Sequence, residues 1–241
     1  MIRNFSRGFT LIELLIVIAV VAILATIAYP TYIGIEERAK VTKDMNNLRQ
    51  IGIATQLYMN DNDGALFSTT TSWMSQLYPK YLSSWYVLIS PFDTPNSPRI
   101  ASDNNANSAI SYGINGTTGV IGMSADKITK PTVFIVFAPA QDNSSTVQFQ
   151  GIANTTTQTN LANSANVTVI GNGNNLATST PGGQNSGTGP HGTHGSRTKI
   201  NAVFADWHIE NMPWTTFTRN TADPTTDPDG NLRWTPYTPY P

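Results

Sequence analysis

The sequence predicts an α+β fold: a long N-terminal helix packed on a small antiparallel β-sheet with long loops. Three observations carry this. The run from Phe9 to Tyr29 is apolar and holds a single charge, Glu13; the stretch from Ile35 to Met59 is free of proline and repeats apolar residues at helical spacing; and beyond Gly64 short strand-like segments alternate with turn residues. The first run is about 30 Å long as a helix, enough to cross the hydrocarbon core of a bilayer. Residues 9–29 are therefore expected to span a membrane, residues 30–60 to extend the helix amphipathically, and residues 61–241 to form a β-rich globular domain.

The N-terminal run is unlike a cleavable secretory signal, whose apolar core is roughly 7–15 residues long and ends in an Ala-x-Ala type site. This run is longer and contains no Ala-x-Ala. Arg3 and Arg7 precede it and suit a cytoplasmic N-terminus. Ala19, Ala22, Ala25 and Ala28 form a ridge of small side chains that lets membrane helices approach closely. A plain anchor gives no reason for Glu13, because a carboxylate at mid-membrane costs on the order of 2.5 to 3.5 kcal/mol. A partner for it is required.

The stretch Arg7-Gly8-Phe9-Thr10-Leu11-Ile12-Glu13-Leu14-Leu15 resembles the class III signal sequence of type IV pilins and type II secretion pseudopilins. The resemblance implies a leader of residues 1–8, cut between Gly8 and Phe9 by a prepilin peptidase, and N-methylation of Phe9. It further implies that Glu13 neutralises the terminal amine of Phe9 on a neighbouring subunit during assembly at an inner-membrane platform. Localisation follows: a single-pass inner-membrane protein with a cytoplasmic N-terminus and a periplasmic domain, which then joins a periplasmic or cell-surface filament. Pro30 sits where many pilins carry a helix-loosening proline, and the helix is expected to resume after it.

Within the extension, Val41, Met45, Leu48, Thr55 and Tyr58 form a stripe suited to lie against a sheet, while Glu36, Glu37, Arg38, Lys40, Lys43 and Asp44 read as a solvated face. The helix is expected to stop at Asn60-Asp61-Asn62-Asp63-Gly64, a turn whose oxygen spacing partly matches a calcium loop but lacks the bidentate glutamate. Trp73 to Pro98 is aromatic and proline-punctuated. It offers Trp85 to Ile89 as a strand, followed by Ala109–Ile114, Gly119–Met123, Thr132–Ala138 and Thr146–Ile152. Residues 143–196 contain no Lys, Arg, Asp or Glu and are rich in Asn, Thr, Gly and Ser, a loop-like composition. Lys199 to Glu210 is the clearest strand, with Val203, Ala205, Trp207 and Ile209 on one face and Phe204, Asp206 and His208 on the other. The tail, 213–241, carries six prolines and reads as an extended strap.

Ser111-Tyr112-Gly113-Ile114-Asn115 and Asn201-Ala202-Val203-Phe204-Ala205-Asp206-Trp207-His208, preceded by His194, are similar to a pilin-like subgroup of planctomycetes and related bacteria. In that pattern a glycine follows the aspartate; here Trp207 takes its place. All three histidines, His191, His194 and His208, lie close in sequence to Asp206, and together they are candidate zinc ligands. The alternative is that Asp206 and His208 bond to each other in a structural turn. Asp223, Asp227, Asp229 and Asn231 form a second candidate calcium loop, interrupted by prolines and without the closing glutamate. No cofactor is expected.

A net charge of −1 with 12% charged residues offers no nucleic-acid surface, and the absence of cysteine removes disulfides, thiolate metal sites and thiol nucleophiles. The expected role is a non-enzymatic structural subunit of a pilus-like or pseudopilus filament. Two other readings stay open: an anchored carbohydrate-binding module using the Asn/Thr-rich surface, and a tethered metalloenzyme built on the histidine cluster.

Overall fold

A computed structural model describes residues 9–67, 73–93, 110–115, 122–139, 169–170, 192–217, 224–234 and 236. The chain divides into two units, Met1–Lys40 and Val41–Pro241. The described part of the first is helix α1, which runs Leu11–Asn60 and so continues into the second unit. Pro30 lies inside it without ending it. A proline removes one backbone donor, and the helix-forming neighbours on both sides carry the helix through that single missing link. The helix expected to resume after Pro30 runs on through it.

In the second unit α1 closes where expected. Asp63 and Gly64 adopt left-handed conformations, and the Gly64 amide returns 2.9 Å to the Met59 carbonyl. Leu48, Ile51 and Ala54 of α1 are buried with α2 (Trp73–Leu77) and one face of the sheet, including Phe137 and Val203. The sheet comprises β1 (Tyr112–Asn115), β2 (Ile135–Pro139), β3 (Val169–Ile170), β4 (Lys199–Phe204) and β5 (Ile209–Pro213), in the order β3-β1-β2-β4-β5. The β1–β2, β2–β4 and β4–β5 pairs are antiparallel, as expected, and the two-residue edge strand β3 runs parallel to β1. Gly119–Met123 is described only from Gly122, where the chain turns and pairs with Leu66; Thr146–Ile152 lies outside the described residues.

Three expectations are corrected. Trp85–Leu88 is a 3-10 turn, opened by the Ser84 hydroxyl accepting from the Tyr86 amide. Trp85 and Leu88, three apart, are both buried, a spacing that a 3-10 turn puts on one side and a strand does not. Lys199–Glu210 is a hairpin rather than one strand: the chain turns at Ala205-Asp206-Trp207, where the Trp207 amide bonds the Phe204 carbonyl at 2.9 Å and Trp207 has φ +69°. A three-residue loop closing on a left-handed residue has this geometry, so Trp207 occupies a place that ordinarily selects glycine. The face assignment survives the turn: Ala205, Trp207 and Ile209 pack with Val203 on the α1 side, and His208 stacks on Phe204 with ring centroids 4.3 Å apart.

The tail is the third correction. Trp214–Phe217 forms a short helix, α3, and residues 230–232 form a 3-10 turn. Phe217 and Trp234 are buried with Ile200, Ala202, Phe204 and Met212 in a second core on the outer face of the sheet, and the Trp234 indole donates to the Phe217 carbonyl at 3.0 Å. Burial of these rings outweighs the extended bias of the prolines, because each aromatic removes a large apolar area from water. The sheet is covered on both faces.

The turn leading into β4 is strained. Ser196 (φ +53°) and Arg197 (φ +66°) occupy its centre, and the Thr198 amide bonds the Gly195 carbonyl at 3.1 Å, a type I′ arrangement that favours Asn-Gly. Close by, a Cβ on Gly192 would meet the Lys199 carbonyl at 2.3 Å, so only glycine fits there. Ser196 is exposed. Ser196→Asn is therefore expected to raise the unfolding free energy by about 0.5 to 1 kcal/mol, part of the left-handed strain. Urea unfolding of the two proteins measures it, and an unchanged midpoint contradicts it.

Candidate functional site

Thr10 caps the first turn of α1, and three residues later Glu13 returns to it. The Glu13 Oε2 atom accepts from the Thr10 amide at 2.8 Å and from the Thr10 hydroxyl at 2.7 Å, while the Glu13 amide donates to Thr10 Oγ1 at 3.3 Å. This is a capping box, in which two otherwise unpartnered helix-start donors are satisfied by a Thr-x-x-Glu pair. Its signature was present in the sequence. Phe9 is 78% exposed, immediately before the cap, and Gly8 lies outside the described residues.

From Leu11 to Glu36 every residue of α1 is exposed within the chain. This segment contains a window long and apolar enough to cross a membrane, with none of it buried. An exposed apolar surface of that size on a water-facing helix is strongly unfavourable, at about 25 cal/mol per Å², so it calls for lipid or other helices around it. Past Glu36 the surface changes character, beginning with an exposed Glu36–Lys40 ion pair at 2.8 Å.

The polar residues that join α1 to the sheet were misjudged from sequence. Asp44, expected on the solvated face, is fully buried. Its Oδ1 accepts from the Ser90 hydroxyl and the Tyr112 hydroxyl, each at 2.7 Å, and its Oδ2 accepts from the Asn201 amide nitrogen at 2.8 Å. Asn47, one turn on, donates to the Ile89 carbonyl at 2.9 Å and to the Tyr112 oxygen at 3.3 Å. Burial pushes the Asp44 carboxyl above the usual range, and the bonds from Tyr112, Ser90 and Asn201 hold it back. Burial, then the Asp44 charge, raises the Tyr112 phenol well above its ordinary value and keeps it a donor. One signal was available: Asp44 lies four residues before Leu48 and so falls on the inward stripe.

The candidate metal ligands are dispersed. His191 and Asp223 lie outside the described residues. His194 is bridged to Lys199 at the start of β4, whereas Asp206 and His208 occupy the loop at its far end, where His208 Nδ1 bonds Asp206 Oδ1. The turn reading of Asp206 and His208 fits this geometry. Asp227 pairs with Arg233 at 2.9 Å and Asp229 with Lys130, so these two carboxylates face two different cations. Asn231 sits in the 3-10 turn beside them. Among the described residues no three His, Asp or Glu side chains are grouped to hold a metal ion.

The N-terminal segment, an exposed apolar helix opened by a capped Glu, is similar to those of type IV pilins and type II secretion core protein G. Residues 3–29 match the prokaryotic N-terminal methylation motif. The chain is 41% identical over 58 residues to the type IV major pilin PilA of Myxococcus xanthus, covering 24% of this chain and 26% of that protein. A fimbrial protein of Moraxella nonliquefaciens is 42% identical over 65 residues, 27% of this chain and 41% of its own length. The type II secretion system core protein G of Pseudomonas aeruginosa is 36% identical over 60 residues, 25% and 42% respectively. The chain thus spans less than half the length of these relatives. No solved structure matches it significantly.

Proposed function

We propose that this chain is a structural, non-catalytic subunit of a type IV pilus-like or type II secretion pseudopilus filament. The observation that carries the reading is the fully exposed apolar run of α1, interrupted only by Glu13 and coincident with the methylation motif. In this reading a prepilin peptidase cuts between Gly8 and Phe9 and the new amine of Phe9 is methylated. The subunit waits as a single-pass protein of the bacterial inner membrane with its domain in the periplasm. An assembly platform then lifts it into a filament whose core is the bundled apolar helices.

Each α1 leaves the lipid only to meet other copies of α1, so its apolar surface stays covered throughout, and close packing drives the transfer. Glu13 supplies the register: among the described residues only its Oε2 is held, by Thr10. The fixed carboxylate presents that oxygen to the Phe9 amine of a neighbour, which offsets the cost of a charge in an apolar core. Relatives of both the pilus and the secretion kind share this segment, which supports the filament role common to the two.

Intact-mass measurement and N-terminal sequencing of the protein extracted from its own host's membranes test the reading. The expected mature chain starts at N-methylated Phe9. A chain that still starts at Met1 overturns it.

A further inference from the structure

A cleft opens on the second unit between the last turns of α1 and the loop that joins β4 to β5. Among the described residues it is lined by Ile53, Gln56, Leu57, Met59 and Asn60 of α1 and by Trp207 of the loop, and its volume is about 340 Å³. Clefts that hold small ligands begin at roughly 300 Å³. Ile53, Gln56, Leu57 and Asn60 follow the i, i+3, i+4, i+7 spacing that gathers residues on one helix face, and all four are exposed.

Trp207 is held in the opposite wall against its own conformational preference. Its φ of +69° is a left-handed conformation that glycine adopts freely and a bulky side chain does not. The indole is seated by Gly52: a Cβ on Gly52 would lie 3.5 Å from Trp207 Cε3, so that edge of the ring lies against the bare backbone of α1. Glycine inside a helix is itself unfavourable. Two positions therefore carry residues that local structure disfavours, and together they set an indole into the wall of a cleft. Strained residues that their surroundings hold in place gather at ligand sites.

The lining selects the occupant. None of the six residues is charged, so a phosphate, a carboxylate or an ammonium group would enter without a counterion. A wholly apolar occupant, such as a helix of another copy, would strip water from the Gln56 and Asn60 carboxamides and return no hydrogen bond. A sugar ring meets both demands. Its C–H face packs on the electron-rich face of an indole, and its hydroxyls donate to the oxygen and accept from the nitrogen of a carboxamide. We infer that this cleft binds a neutral pyranose unit of a glycan, with Trp207 as the stacking platform and Gln56 and Asn60 bonding its hydroxyls. Ile53, Leu57 and Met59 supply the apolar remainder of the wall. Nothing in the site depends on the filament role of α1, and none of its residues belongs to the uncharged stretch 143–196.

Nitrogen-15 NMR of the tryptophan indoles tests the inference on the full chain, in a detergent without a sugar headgroup, titrated with maltotriose, cellotriose and mannotriose. Trp207 is assigned by the loss of its signal in Trp207→Gly, a variant that suits the left-handed corner. At least one sugar is expected to shift the Trp207 signal saturably and to leave those of the buried Trp85 and Trp234 in place. Read by saturation transfer to that sugar, Trp207→Gly is expected to bind about tenfold more weakly or worse. Gln56→Leu, an exposed change that keeps the apolar wall, is expected to weaken binding about threefold or more, the effect of one lost hydrogen bond. If Trp207→Gly misfolds, Gln56→Leu still decides. The inference is overturned if none of the three sugars moves the Trp207 signal, or if either variant binds as tightly as wild type. A Trp207 signal that answers to protein concentration and to no sugar assigns the cleft to a second copy and overturns it equally.

Discussion

Glu13→Ala is expected, on the filament reading proposed above, to leave cleavage after Gly8 intact and to lower the fraction of subunits recovered in filaments by about tenfold or more, the equilibrium change for roughly 1.4 kcal/mol of lost pairing. Cleavage survives because the scissile bond precedes Phe9, outside the capping box. Assembly fails because the Phe9 amine of each neighbour then enters an apolar core without an opposite charge. Alanine also removes the two bonds that Thr10 donates to Glu13, so a second variant separates the roles. Glu13→Gln preserves a Thr-x-x-Gln capping box but not the charge. If charge sets the register, Glu13→Gln is as defective as Glu13→Ala. Normal filament incorporation of Glu13→Gln would leave Glu13 with a helix-capping role alone. Quantifying sheared filaments against membrane-bound subunit, with intact mass to report processing, gives both readouts.

Asp44→Ala is expected to destabilise the globular unit by roughly 3 kcal/mol or more. Ser90, Tyr112 and Asn201, all buried, each lose their acceptor, at a cost of about 1 kcal/mol apiece at the low end of the range. Urea unfolding is the measurement, and a loss below about 1 kcal/mol would show that the seam relaxes without its carboxylate.

The same residue sets a pH dependence. Burial raises the folded pKa of Asp44 above its unfolded value, so the native chain keeps a proton that the unfolded chain has released. Its contribution to stability is then fully present below the ordinary aspartate range, near pH 4, and falls as pH climbs through the raised value. Asp61 has the opposite sign: the bond from Lys80 lowers its pKa, so it contributes above the ordinary range and its contribution is lost on acidification, although full exposure screens it. Comparing wild type with Asp44→Asn isolates the first effect, since Asp61 is common to both. The stability difference, wild type minus variant, is expected to decrease as pH rises from 4 towards neutrality. A flat difference would contradict it.

The sequence by itself determined the parts of this protein that depend on near neighbours. The apolar run of α1 and the lone Glu13 are local patterns, readable because composition over one helix decides whether it seeks water or lipid. The β4–β5 face assignment was readable for a similar reason, since Val203 and Phe204 alternate across the pleat whatever follows them. Local pattern also misled where two reversals compete: Ala205-Asp206-Trp207 lacks the glycine its left-handed corner favours, so the hairpin was invisible and one strand was expected. Only the tertiary structure decided the burial of Asp44. The partners that make a buried carboxylate tolerable, Ser90, Tyr112 and Asn201, stand 46, 68 and 157 residues away. In a helix read alone an aspartate beside lysines belongs to water; it goes inside only where distant donors converge to replace the water it loses. The tail follows the same rule, because its tryptophans and Phe217 gain a place to be buried only once the sheet has formed beneath them.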